Sequence, residues 1–148
     1  MPKTLEQQFA ELTKEGRIEE AAVIAVFDQL KAIPPEFMLG KWDGFPIDTS
    51  HTATEQPFKW AGKDFRSLDD VDPVMVWGKD GSRTWNADFG HAQVREIKYR
   101  GLLTAGMIYD DFPRIDSFRF VDENTVLGAM EDKNVENNRP VWFYMRRM

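Results

Sequence analysis

The chain has 148 residues, of which 42% are hydrophobic and 30% charged, with 19 basic against 25 acidic side chains. That length and balance fit one globular domain with a real core and exclude a disordered chain. The net charge of −6 argues against a nucleic-acid partner, which wants a basic face, and the lack of cysteine excludes disulfides, thiolate nucleophiles and zinc–thiolate centres. The start, Met1 to Glu6, lacks the apolar run of a signal peptide. The longest aliphatic stretch, Ala21 to Phe27, is too short to cross a bilayer. A cytoplasmic location and no membrane span are therefore expected.

Thr4 followed by Gln7 reads as a capping box, with Leu5, Phe9 and Leu12 at helical spacing behind it and Gly16 as a stop. A second helix is predicted from about Glu19 to Lys31, with Ala22, Val26, Leu30 and Ile33 on its buried stripe. Pro34-Pro35 ends it, because a residue before proline is pushed out of helical geometry. Residues 1–35 thus form a helical hairpin. After Pro35 apolar residues alternate, and turn signals recur every eight to twelve residues or so. The predicted strands are Phe37–Ile47, Val74–Trp77, Arg83–Asp88, Gln93–Arg100, Leu102–Tyr109, Ser117–Val121, Thr125–Glu131 and Val141–Arg147. Lys79-Asp80-Gly81-Ser82 is a tight hairpin turn. Asp122–Asn124 and Lys133–Pro140 are longer loops, and Asp48–Asp72 is polar and irregular, anchored by Trp60 and Phe65. Strands without intervening helices favour a meander, and closing the sheet removes its exposed edges. The expected fold is α+β and mainly β: an antiparallel barrel or strongly curved sheet with an N-terminal helical hairpin.

Five tryptophans and eleven phenylalanines are the loudest feature of the composition. They build either a plain aromatic core or the wall of a cavity, since a barrel of about eight strands can hold one small ligand. Leu103, Ala105, Met107 and Tyr109 are predicted to alternate inward, and Trp142, Tyr144 and Arg146 to share a face. Methionines (Met75, Met107, Met130, Met145) and strand glycines (Gly106, Gly128) suit an adaptable apolar pocket. In Gly40-Lys41-Trp42-Asp43-Gly44 two glycines flank a tryptophan, so the backbone bends while the ring plugs the barrel's end. An arginine of the terminal Arg146-Arg147 pair is expected to stack on that ring, a cation–π contact of ~0.5–2 kcal/mol.

The segment Gly40–Gly44 resembles the signature of the GXWXG family. Tyr99-Arg100-Gly101, Met107–Asp110, Ile115–Arg119 and Leu127–Met130 resemble the domain of unknown function 4334. The resemblance spans about Phe37 to the C-terminus and implies one domain over 1–148, with a GXWXG-like part (36–78) and a DUF4334-like part (79–148) sharing one barrel. It implies no established activity. The tryptophan motif is also similar to that of calycins, lipocalin-like barrels whose first strand carries Gly-x-Trp and whose last carries arginine; that is an analogy of fold, not of function.

Arg100, Asp110, Asp116 and Arg119 fall inside the DUF4334-like segment. Near an apolar cavity such charges must pair, as a strut holding the barrel shut or with Arg100 or Arg119 clamping an anionic head group and Tyr109 donating to it. Asp48-Thr49-Ser50-His51 fails as a triad, because neighbouring loop residues do not converge on one centre. His51 with Glu55, or His91 with Asp88, gives half a metal site at most, and no metal or other cofactor is expected. Asp110 and Asp111 point apart, Asp69–Asp72 reads as a solvated loop, and no phosphate-binding glycine loop is present. The expected function is noncatalytic binding of a small hydrophobic or amphipathic, lipid-like ligand by Trp42, Arg100, Met107, Tyr109, Arg119 and Met130. The alternatives are a cofactor-independent hydrolase or isomerase using Asp116, Tyr109 and His51, and an interaction module whose barrel is filled solid. A homodimer is left open.

Overall fold

The computed structural model describes residues 1–50 and 58–148. The N-terminal helix α1 (Leu5–Leu12) starts at the predicted capping box: Gln7 N donates to Thr4 Oγ1 and Thr4 N to Gln7 Oε1. Helix α2 (Glu20–Gln29) buries Val23, Val26 and Phe27, with Leu30 at its end. Ala22 of the expected stripe is exposed, since the helix turns Val23 and Phe27 inward instead, and Ile33 lies beyond the helix in the barrel core. A single turn of 3-10 helix, Pro35–Met38, replaces the start of the first predicted strand.

Among the described residues eleven strands follow: β1 (Gly40–Pro46), β2 (Lys59–Trp60), β3 (Lys63–Ser67), β4 (Asp70–Asp72), β5 (Met75–Trp77), β6 (Arg83–Trp85), β7 (Ala92–Tyr99), β8 (Leu102–Tyr109), β9 (Arg114–Asp122), β10 (Thr125–Asp132) and β11 (Val141–Arg147). Eight of them close an antiparallel barrel in the order β1-β11-β10-β9-β8-β7-β4-β3. The last five form the predicted meander, and β1 closes the ring by pairing with β11 on one side and β3 on the other. Strands β2, β5 and β6 form a separate three-stranded sheet, order β2-β5-β6. The stretch read as irregular therefore supplies β3 and β4 to the barrel. Both are short, and their Lys63, Asp64 and Asp72 are buried against partners, which hid the alternation. The Arg83–Asp88 strand stops at Trp85, where Asn86 caps a short turn of 3-10 helix.

Alternation along the barrel strands separates two apolar clusters. Inside lie Trp42, Phe65, Val94, Met107, Tyr109, Phe118, Phe143 and Met145. Outside, Leu127, Ala129, Trp142 and Tyr144 pack beneath Phe9, Leu12, Val23, Val26 and Phe27 of the hairpin. The face shared by Trp142 and Tyr144 is thus the one under the helices. Leu103, expected inward, is 54% exposed, because β8 extends past the barrel body at its Tyr99–Leu102 turn. The segment after α2 enters the seam where β8 and β9 splay apart: Phe120 N donates to Lys31 O at 2.9 Å and Ala105 N to Ile33 O at 2.8 Å. Among the described residues no helix is long and apolar enough to cross a membrane.

Candidate functional site

The tryptophan motif closes one end of the barrel. Trp42 is fully buried, and its indole Nε1 donates to Met38 O at 2.8 Å. The Arg147 guanidinium lies 4.2 Å from the Trp42 ring centre and donates to Phe37 O and Leu39 O, so the expected stacking is made by the second arginine of the pair. Gly40 takes φ +124°. Gly44 is required by space: a Cβ there would stand 2.5 Å from the Trp60 ring, which enters the wall at that point. Gly62, at φ +85°, crosses directly over the Trp42 carbonyl, where any Cβ would collide, and it delivers the chain into β3 with Lys63 opposite Trp42.

The other end of the interior is a cavity of about 960 Å³. Its wall combines Phe143 and Met130 of the barrel, Trp60 and Trp77 of the small sheet, Phe58 and Phe89 with Tyr109, Arg114, Asp132 and Lys63, and Asp116 lies directly behind that wall without exposed surface. Arg83 pins the small sheet to the barrel, donating to Ala61 O and Trp42 O and pairing with Asp64. The barrel is thus packed solid at the Trp42 end and hollow at the other.

At the junction stands a buried polar trio. Lys63 Nζ is 3.0 Å from Asp116 Oδ2, donates to Pro73 O at 3.0 Å and reaches the Tyr109 hydroxyl at 3.4 Å. Its ammonium also lies 5.4 Å from the Trp60 and Tyr109 ring centres and 5.5 Å from that of Phe143, an aromatic cage. The Asp116 contact is an ion pair by distance but not by alignment. Neither carboxylate oxygen has a hydrogen-bond partner among the described residues, and the side chain is 0% exposed. Burial pushes the Asp116 carboxyl above its ordinary value against the pull of Lys63, and burial likewise raises the Tyr109 phenol. For Lys63 burial works to discharge the ammonium, but Asp116 and then Tyr109 outweigh it and hold it above its ordinary value.

Arg114 lies beside this trio. Its Nε donates to Asp132 Oδ2 at 2.8 Å, and its guanidinium lies 5.0, 5.6 and 5.7 Å from the ring centres of Phe112, Phe89 and Tyr109. Asp132 is occupied on both oxygens, the other accepting from Asn134 N.

Of the six residues expected to bind ligand, Tyr109 and Met130 lie on the cavity wall. Trp42 and Met107 sit in the packed end. Arg119 is buried on the outer face, donating to Phe27 O, Leu30 O and Tyr99 O with its guanidinium 4.4 Å from the Phe27 ring centre, which makes it a strut for α2. Arg100 occupies the β7–β8 turn at φ +50° and pairs with Asp28 of α2 through two hydrogen bonds. Asp110 and Asp111 sit past the end of β8. His51 and Glu55 lie outside the described residues. His91 accompanies Asp72 at 2.9 Å, next to Asp70, but the Arg66 guanidinium already occupies both carboxylates, so this cluster is a guanidinium site. Sequence reasoning missed Lys63 and Arg114. The signal for Lys63 was its place directly after Gly62 and two residues before Phe65, one face of an unrecognised strand.

Fold and cavity together define a small closed antiparallel barrel, half filled and half hollow, with ionisable groups inside. The chain belongs to the proteins that join the GXWXG family, matched over residues 25–81, to the domain of unknown function DUF4334, matched over residues 90–147. It is similar to a protein from Thermomonospora curvata whose crystal structure is solved. The two share 34% identity over 97% of this chain and 98% of that one, with a TM-score of 0.88. No curated protein matches the chain.

Proposed function

We propose that this protein binds a small hydrophobic or amphipathic molecule in the barrel cavity without transforming it. One observation carries the reading: an aromatic-walled space of about 960 Å³ beside the packed end of a closed barrel, a size near the top of the ~300–1,000 Å³ that small-molecule pockets occupy. Removing apolar ligand surface from water against such a wall is worth roughly 25 cal/mol per Å². The polar groups support holding over chemistry. The Lys63 ammonium is surrounded by Pro73 O, the Tyr109 hydroxyl and Asp116, so it serves as a fixed cation rather than a nucleophile. Asp116 has no accessible surface from which to take a substrate proton.

A second reading, a cofactor-independent hydrolase or isomerase, draws on the meeting of Asp116 and Tyr109 at Lys63. It requires Asp116 to become accessible when substrate enters.

The neutral fluorophore N-phenyl-1-naphthylamine tests the binding reading. Wild-type protein should enhance its emission saturably, and Met130→Trp, which pushes a larger ring into the cavity from β10, should weaken the enhancement while the far-ultraviolet circular dichroism stays the same. Equal enhancement by the two proteins would place the dye elsewhere and end the proposal.

A further inference from the structure

The hydrogen-bond directions around Tyr109 and Arg114 leave donors without a protein acceptor among the described residues, the Arg114 side chain being 24% exposed. Lys63 Nζ, a donor with no lone pair, approaches the phenol oxygen, which therefore acts as acceptor in that contact. The phenol's own proton has no acceptor among the described residues. The same holds for Arg114: Nε is taken by Asp132, and neither Nη group has a hydrogen-bond partner among the described residues. Both side chains line the cavity. Three aromatic rings pack around the guanidinium, and Tyr109 is 5% exposed. The donors are therefore held in place before any ligand arrives, which lowers the ordering cost of binding.

We propose that the cavity is selective for carboxylates, with the Tyr109 hydroxyl and the free Nη edge of Arg114 taking the carboxylate oxygens while the apolar body lies against Phe89, Phe143 and Trp60. The inference rests on the binding reading above and names the head group that reading left open. A planar guanidinium edge matches a carboxylate in a way a lone hydroxyl or amine does not. Burial keeps the phenol protonated through the neutral range, so it remains a donor to an anion. The Lys63 ammonium behind the phenol oxygen polarises its O–H bond toward the cavity, which makes Lys63 a positioning residue. Of the carboxylates on the cavity wall, Asp132 is tied to Arg114 and Asn134 and Asp116 is covered, while Asp43, on β1, accepts from Gly44 N.

Displacement of N-phenyl-1-naphthylamine by decanoate, 1-decanol and decylamine at pH 7 tests this. Decanoate should displace the dye at a concentration at least about tenfold lower than decanol, a step of about 1.4 kcal/mol, with decylamine weakest. Tyr109→Phe, which removes one oxygen, and Arg114→Met should each bring decanoate to within about threefold of decanol, the two affinities being compared within the same variant. The double variant Lys63→Met/Asp116→Leu should narrow the same decanoate-to-decanol ratio, a readout that a purely structural role would not move. Dye binding with no decanoate preference, or a preference untouched by both Tyr109→Phe and Arg114→Met, overturns the carboxylate site and leaves the cavity reading standing. Absence of dye binding removes both.

Discussion

Replacing Arg119 tests whether this arginine is a strut or a ligand group. Its Nη1 donates to Phe27 O at 2.9 Å and to Leu30 O at 3.3 Å, and its Nη2 to Tyr99 O at 3.2 Å, all from a side chain 2% exposed. Two of those carbonyls end α2, at the negative pole of the helix. Hydrogen bonds to a charged group contribute about 1.5–3 kcal/mol each when well made. The short bond merits the middle of that range, and the two longer ones about 1 kcal/mol apiece. Against this stands the cost of burying the cation, which lowers the Arg119 value from its ordinary one and gives back about 1 kcal/mol when the charge is removed. Arg119→Met, which keeps the stem's packing, should therefore lose about 3 kcal/mol of stability, and Arg119→Ala a further 1–2 kcal/mol or so for the void. Urea unfolding followed by circular dichroism and tryptophan emission measures both. A red shift should come first from Trp142, whose ring lies 5.2 Å from that of Phe27. A loss below about 1 kcal/mol in Arg119→Met, together with weakened decanoate binding, would refute the strut and restore Arg119 to the ligand.

Two further outcomes follow from the charged groups. Removing one member of the Lys63–Asp116 pair by Asp116→Ala strands an ammonium and should cost about 3–5 kcal/mol, whereas Lys63→Met/Asp116→Leu should stay within about 1 kcal/mol of wild type or exceed it. A double variant as unstable as the single one in urea would make the pair a net stabiliser. Hydrogen bonds from Arg66 hold the Asp72 carboxyl below its ordinary value, so the unfolded chain takes up its proton more readily than the folded one. The associated stability is complete above about pH 4 and lost as pH falls through the lowered value. Asp72→Asn should accordingly flatten the acid side of the stability–pH curve, and an unchanged slope between about pH 4 and 2 would contradict this.

The parts of the fold visible in the sequence are those where side chains alternate without interruption between recognisable turns. Strands β7 to β11 qualify, with Arg100-Gly101 making a two-residue turn in which both residues take positive φ. Trp42 and its arginine were legible because a glycine on either side of a large ring calls for a bent backbone and a buried indole, and an indole face attracts a cation. Strands β3 and β4 were not, since Lys63, Asp64 and Asp72 read as solvent-facing until their partners Asp116, Arg83 and Arg66 are known. The same gap misplaced the cations. Arg119 shares its strand face with Ser117, the face opposite Asp116 and Phe118, so it points under α2. Arg114 lies on the inward face but before the start of the predicted strand at Ser117, and β9 in fact begins at Arg114. Register within a strand could be read; which of its two faces a helix would cover could not.

The ladder that seals the barrel runs from Trp42–Arg147 to Pro46–Phe143, and so it stitches one sequence family to the other. Neither module closes the barrel by itself. The GXWXG segment alone would leave β1 and β4 with bare edges, and the DUF4334 segment would leave β7 and β11 in the same condition, both prone to aggregation. Fragments cut between Gly81 and Gly90 and produced in one cell should find each other and reconstitute the ring, each serving as template for its counterpart.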